Sequence, residues 1–244
     1  MASAQRRLKS LHTVDTPSSI VVACLPAGAS CGHYEPLSLR LPSSNFYEIL
    51  PIRTLARSDL SIEDELNCIM GEIEELACAY ASAPLVLFGH SIGGALAMEV
   101  ARHLSTYRQS RTRLVLSALP SPAHRQLDIT EVTSQVLASR VGVPTHPNEC
   151  VSPAVYSYVA DVIQSDIGSA RALNFGACGV PRSIDLGFLW PLDDPICTAA
   201  DIEWWIEEYP SLSLFPYRGD HFSYADGAAG SRAVSGVLAG AVGS

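Results

Sequence analysis

The residue with the clearest chemical potential in this chain is Ser91, in the stretch Gly89-His90-Ser91-Ile92-Gly93. A serine hydroxyl is a weak nucleophile at neutral pH. It needs a base to take its proton and donors to receive the charge that develops on the attacked oxygen. Small residues two before and two after Ser91 suit a sharp strand-to-helix turn, because neighbouring backbone can then pass close to it. The flanks agree: the apolar run Leu85-Val86-Leu87-Phe88 precedes the turn, and Gly94-Ala95-Leu96-Ala97 opens a helical stretch after it. A helix starting there aims its N-terminal N–H groups and positive dipole end at Ser91. A bare five-residue motif arises by chance in many proteins; set between strand and helix it is specific.

The matching base is His221, the only histidine after His146, in Arg218-Gly219-Asp220-His221-Phe222 just past a strand-like run. On this kind of scaffold the chain order is nucleophile, acid, base. His90 adjoins Ser91 and is expected to pack beneath the turn, while His33, His103, His124 and His146 fall in loops or on polar faces. The acid that orients the imidazole and stabilises the imidazolium comes from Asp193-Asp194, which follow an apolar segment and precede Pro195. Asp194 is the stronger candidate, and the other is then a solvated loop carboxylate. Asp185 lies in or beside a strand and Asp201 on the next helix, so neither fits. The oxyanion hole combines the backbone N–H of Ile92 with one from the loop after the first strand, where Ala27 in Leu25-Pro26-Ala27-Gly28 is best placed.

The elements around these residues predict an alternating α/β chain. Ile20 to Leu25 is a continuous apolar run, as in a strand buried on both faces of a parallel sheet. Glu48 to Leu55 is a second short apolar segment. Ser61 to Tyr80 has helical spacing (Ile62, Leu66, Ile69, Ile73, Leu76), with Ser61 as N-cap and Asp64 three residues on. Further strands are expected at Leu85–Phe88, Leu114–Ser117, Ile184–Leu189 and Leu212–Phe215, and a helix at Ile92–Leu104. The sum is a mostly parallel central sheet with helices on both faces. Residues 127–172 read as helical pieces broken by Gly142, Pro144, Pro147 and Pro153, an insertion capping one edge. Residues 1–18 read as a flexible extension, leaving one domain over 19–244.

Composition bounds the rest. Of 244 residues 48% are apolar and 17% charged, which is a globular balance, and a formal net charge of −9 disfavours a nucleic-acid partner. The seven cysteines form no CxxC pair and the histidines complete no metal-ligand spacing, so reduced, mostly buried thiols in a cytoplasmic protein are expected. No metal or organic cofactor is implied by any spacing. No apolar run reaches the ~18 residues of a membrane span, so no membrane partner is expected.

Pro26-Ala27-Gly28, Gly-His-Ser-Ile-Gly-Gly and Gly219-Asp220-His221-Phe222, in that order, resemble the type II thioesterases, stand-alone α/β-hydrolases that accompany polyketide synthases and nonribosomal peptide synthetases. The likeness continues through Ser117 to His124, through Val136 to Pro144, which is similar to the family's lid segment, and through Val162 to Asp166, which resembles its later lid helix. It spans about residues 19–225. It implies an α/β-hydrolase fold with 127–172 as a helical lid, a triad of Ser91, Asp194 and His221, and an oxyanion hole at Ala27 and Ile92. It also implies a monomer acting on acyl thioesters held on the phosphopantetheine arm of acyl or peptidyl carrier proteins, for editing or product release. The chain departs from the family at Pro26-Ala27-Gly28-Ala29, at Gly187 to Leu192 and at Asp220, where glycine is usual. Triad-dependent acyl transfer or cyclisation, a general serine esterase and a non-enzymatic binding module are the competing readings. A basic docking patch for the acidic carrier would come from Arg102, Arg108, Arg111 and Arg113, which otherwise read as a solvated helix end.

Overall fold

A computed structural model of the chain describes residues 6–122, 153–172, 179–226 and 228–240. Its centre is a seven-stranded sheet of β1 (Leu8–His12), β2 (Ser19–Cys24), β3 (Ser44–Ile49), β4 (Leu85–His90), β5 (Thr112–Ser117), β6 (Asp185–Pro191) and β7 (Ser213–Tyr217), in the spatial order β1-β3-β2-β4-β5-β6-β7. Only β1 runs antiparallel; every other neighbouring pair is parallel. The continuous apolar runs are explained by double burial. In β2 the residues Ile20, Val22 and Cys24 point into one core and Val21 and Ala23 into the other, and all are at most 1% exposed.

The described helices are α1 (Glu35–Ser38), α2 (Ile52–Leu55), α3 (Ile62–Ala79), α4 (Ile92–His103), α5 (Thr106–Gln109), α6 (Pro153–Ala172), α7 (Ala199–Glu208), α8 (Ser223–Asp226) and α9 (Ala228–Gly240). One face of the sheet is covered by Leu66, Ile69 and Ile73 of α3, by Leu96 and Val100 of α4, and by Ile202 and Trp205 of α7. The other is covered by Ile163 and Ile167 of α6 and by Val234 and Leu238 of α9. The expected cap of α3 is present, with Ser61 Oγ accepting from the Asp64 N–H at 3.1 Å. The apolar segment 48–55 divides: the strand ends at Ile49, and Pro51 starts the short helix α2, its fixed φ suiting a helix entry.

Two expectations are corrected. Residues 8–12 are not part of a flexible extension but form the edge strand β1, paired to β3 with Leu8 opposite Ile49. Its hold comes from distant partners: Glu72 accepts the N–H groups of Arg7 and Leu8, and Glu65 takes a two-bond grip on the Arg7 guanidinium. The cysteines are also less uniformly buried than expected. Among the described residues Cys24 and Cys197 are buried, Cys31 is half-buried, and Cys68 and Cys78 are exposed; all five are free thiols. Of the stretch read as a lid, 127–152 lies outside the described residues. Its last part is α6, which is more than an edge cap, since Ile163, Ile167 and Ala170 are built into the core.

The topology fixes where chemistry can gather. From β2 the chain crosses to β3 on one side, whereas from β4 it crosses to β5 on the other. The loops leaving the carboxyl ends of β2 and β4 therefore part, and leave a crevice at that end of the sheet. Because β6 and β7 run the same way, their following loops open on the same edge.

Candidate active site

Ser91 sits between β4 and α4 with φ 52° and ψ −132°. That positive φ is costly for a residue with a Cβ and holds only because the surroundings determine it. The Ser91 N–H donates to Ser117 O at 2.8 Å, and Gly94 N–H closes the turn on Ser91 O at 2.8 Å. The glycines of the motif meet a packing demand. A Cβ on Gly89 would lie 2.5 Å from Gly93 O and Gly94 Cα, and one on Gly93 would press on the carbonyls of Cys24 and, at 2.7 Å, Leu25. The helix α4 can thus approach β2 closely, which sets the loop after β2 beside the turn that carries Ser91. Ile92 is the first residue of α4, so its N–H is not used within the helix and points out of its positive end.

The structure separates the two adjacent aspartates. Asp194 is 7% exposed, and its Oδ2 lies 2.7 Å from His221 Nδ1 while its Oδ1 accepts the Ile196 N–H at 2.7 Å. Both oxygens are occupied, so the carboxylate cannot turn and the imidazole is held from one side. Asp193 instead takes part in the loop scaffold. Its N–H donates to Gly219 O at 3.0 Å and its Oδ2 accepts the Gly219 N–H at 3.2 Å, which ties the loop after β6 to the loop after β7. Asp185 pairs with Arg113 and Asp201 caps α7, as their positions in the chain suggested.

His221 is fully buried, with its ring centroid 4.8 Å from that of His90, the residue before Ser91. Its Nε2 has no hydrogen-bond partner among the described residues. With Nδ1 directed at Asp194, that nitrogen is the one left to exchange a proton. His90 packs beneath the turn as expected, against Tyr224 and with Nδ1 3.0 Å from Ser117 Oγ. The unusual Asp220 also finds a structural reason: its Oδ1 accepts from the Phe222 N–H and from Ser223 Oγ, and so ties the turn between His221 and the short helix α8. Gly219, at φ 147°, leaves room there that a side chain would take from Ser223.

The loop after β2 turns tightly, with Ala29 N–H donating to Pro26 O at 3.1 Å and Gly28 at φ 74°. Those features define a type II turn with Ala27 and Gly28 at its centre. Asp166 of α6 reaches it, accepting the Gly28 N–H at 2.7 Å, and Arg53 donates to Ala29 O at 2.8 Å. Neither contact was derived from sequence. A signal existed: Asp166 stands between Ile163 and Ile167 on the buried stripe of an amphipathic helix, where a carboxylate must have partners.

The four arginines proposed as a basic patch gather at the far end of α4, away from Ser91, and are engaged locally. Arg102 pairs with Glu99, Arg108 with Glu74 and Arg113 with Asp185, while Arg111 donates to Tyr107 and Ala81 O. The buried thiols are inert by environment: burial pushes Cys24 up, and burial with the charges of Asp194 and Asp201 pushes Cys197 up. Among the described residues no cluster of His, Cys, Asp and Glu is arranged to hold a metal ion, and no helix is long and apolar enough to cross a membrane.

A mostly parallel sheet, a strained serine at the strand-to-helix turn after β4, and a histidine–aspartate pair on the loops after β7 and β6 are the arrangement of the α/β-hydrolase fold. Residues 19–138, just under half of the chain, match the thioesterase domain family. A curated relative from Streptomyces griseus, described as "Probable cadicidin biosynthesis thioesterase", is 24% identical over 230 residues, 90% of this chain. The chain spans 62% of that relative's length. The fold is shared with the RedJ thioesterase of the prodiginine biosynthetic pathway in Streptomyces coelicolor, at TM-score 0.64 and 20% identity, covering 92% of this chain and 91% of that one. It is shared equally with BorB, the type II thioesterase of the borrelidin biosynthetic cluster, at TM-score 0.64 and 20% identity, covering 99% and 100%.

Proposed function

We propose that this chain is a serine-dependent, type II-like thioesterase that hydrolyses acyl thioesters from the phosphopantetheine arm of acyl or peptidyl carrier proteins. The observation that carries the reading is the buried His221–Asp194 pair, its free Nε2 turned from the acid, packed against the turn that holds Ser91. His221 Nε2 takes the Ser91 proton as Oγ adds to the thioester carbonyl. The oxyanion that forms accepts from the N–H groups of Ile92 and Ala27, and Asp194 stabilises the imidazolium. Collapse breaks the C–S bond, and His221 returns the proton to the departing thiolate. Water then adds to the Ser91 ester with His221 again as base, releasing the carboxylic acid and restoring the serine. Every proton is held by a residue of this chain, and the steps call for no cofactor.

The thioesterase-domain match and the biosynthetic relative support a thioester as substrate; a carrier protein as partner and the cytoplasm as the place of action belong to the same proposal. The test is mass spectrometry of carrier proteins loaded with varied acyl groups. Release of free acid by the wild-type chain and its loss in Ser91→Ala are the expected results. Unaltered release by Ser91→Ala would refute the mechanism, and turnover of simple esters with untouched carrier thioesters would refute the substrate class.

A further inference from the structure

We propose that Asp166, together with Arg53, is a positioning device for the oxyanion hole, holding the backbone of the Pro26–Ala29 turn. The inference rests on the assignment of the Ala27 N–H to that hole under the proposed function. Asp166 is buried, with its side chain 3% exposed, on the face of α6 that enters the core. Its Oδ2 accepts the Gly28 N–H at 2.7 Å and an Arg53 Nη1 at 2.5 Å, and its Oδ1 accepts the Arg53 N–H at 3.1 Å. The same guanidinium donates through Nη2 to Ala29 O at 2.8 Å. One carboxylate and one guanidinium therefore bind the turn twice, through the N–H of its central peptide and through a carbonyl beyond it.

Backbone physics says why two grips are needed. Types I and II turns interconvert by rotating the central peptide, here Ala27–Gly28, which turns ψ of Ala27 and φ of Gly28. A turn locked against that rotation and tied at Ala29 also fixes the Ala27 Cα, and with it the Pro26–Ala27 peptide that carries the Ala27 N–H. In the type II state the Gly28 N–H meets Asp166; rotated, that N–H turns away and a carbonyl oxygen would face a buried carboxylate. The charge on Asp166 thus selects one state, and Arg53 compensates the charge while holding Ala29. A donor that stabilises a transition state must be in place before the charge develops, because reorganising it during the reaction costs the gain. Asp166 comes from α6, so the hole is assembled with an element remote in sequence. Separations of 138 residues to Gly28 and 113 to Arg53 explain why no local pattern displays it.

The experiment compares wild type with Asp166→Ala, Asp166→Asn and Arg53→Lys as full chains. Three quantities are read: kcat and KM on an acyl-pantetheine thioester, the rate and endpoint of fluorophosphonate labelling by intact mass, and Tm. The endpoint counts reactive serines, so activity is expressed per labelled site and misfolded protein is discounted. Asp166→Ala is expected to lower kcat per site about 10²-fold, the order set by losing one oxyanion donor, with KM within about two-fold and a matching slowing of labelling. Asp166→Asn falls between, since its amide oxygen still accepts from Gly28 but no longer holds Arg53 by charge. Arg53→Lys loses one of its two simultaneous grips and is slowed less than Asp166→Ala. A lowered Tm with kcat per site and labelling rate unchanged would overturn the proposal, leaving Asp166 a packing residue. If Asp166→Ala does not fold, unchanged values in both Asp166→Asn and Arg53→Lys overturn it equally. Labelling of a wild type that leaves the thioester intact would reject the substrate reading alone, and the ratio of labelling rates then decides the positioning role.

Discussion

Replacing Asp194 by asparagine tests the site with almost no change in shape, and its effect can be worked from the contacts. Asp194 uses Oδ1 for the Ile196 N–H and Oδ2 for His221 Nδ1, each at 2.7 Å. An asparagine must put its oxygen on one of these and its NH2 on the other. Facing NH2 toward the Ile196 N–H would set donor against donor in a buried loop, so the oxygen stays there and the NH2 faces His221. Nδ1 must then accept, the ring proton moves to Nε2, and the nitrogen that should take the Ser91 proton already carries one. Loss of the base and of the charge that stabilises the imidazolium is expected to cost about 10³–10⁴ in kcat, or roughly 4–5.5 kcal/mol. The assay is kcat on an acyl-pantetheine thioester across the neutral pH range, beside the rate of fluorophosphonate labelling. Asp193→Asn is the control: its carboxylate is exposed and its amide oxygen can still accept from Gly219, so it should change kcat less than about three-fold. Retention of more than about a tenth of wild-type activity by Asp194→Asn, or an equal loss in Asp193→Asn, would refute the assignment of the acid.

The close approach of α4 to β2 predicts that Gly93→Ala, whose new methyl meets the carbonyls of Cys24 and Leu25 rather than a yielding side chain, loses at least about 3 kcal/mol in denaturant unfolding; normal stability would show that the two elements stand further apart. Trp205 donates its indole N–H to Leu119 O at 2.9 Å from a fully buried position. Trp205→Phe should therefore cost about 2 kcal/mol with an unchanged m value, and a neutral result would mean that Leu119 O finds another donor. The Arg7 hydrogen bond holds Glu65 below the usual carboxylate range against the opposing effect of burial. A depressed folded pKa adds stability above the unfolded value, lost as pH falls through the folded one. The stability difference between wild type and Glu65→Gln should thus be full above the usual glutamate range and fade as pH falls through and below it; a difference independent of pH would argue against an ionised Glu65 as the clamp on β1.

Much of the site was legible because its parts are local. The Ser91 turn declares itself through Gly89 and Gly93, whose missing side chains answer contacts at 2.5–2.7 Å. His221 follows from chain order and from its place after β7. The choice between Asp193 and Asp194 was not legible beyond a preference: the two are adjacent in one loop, and only the folded loop shows that one is buried on His221 while the other ties down Gly219. Residues 8–12 misled for the opposite reason. A short segment with Lys9, Ser10 and His12 around two leucines looks like a frayed terminus until Glu65 and Glu72, on a helix over fifty residues later, supply partners to Arg7 and Leu8.

By itself the sequence determined the alternation of buried strands and amphipathic helices, the strand-to-helix turn at Ser91 and the candidates for nucleophile, base and acid, since each is encoded in a short window by apolar period, glycine spacing or chain order. Only the tertiary structure decided which aspartate faces His221, that β1 closes the sheet edge, and that Asp166 and Arg53 hold the turn carrying Ala27. These are pairings between groups far apart in the chain, and a buried charge finds its partner only when the fold brings the two together.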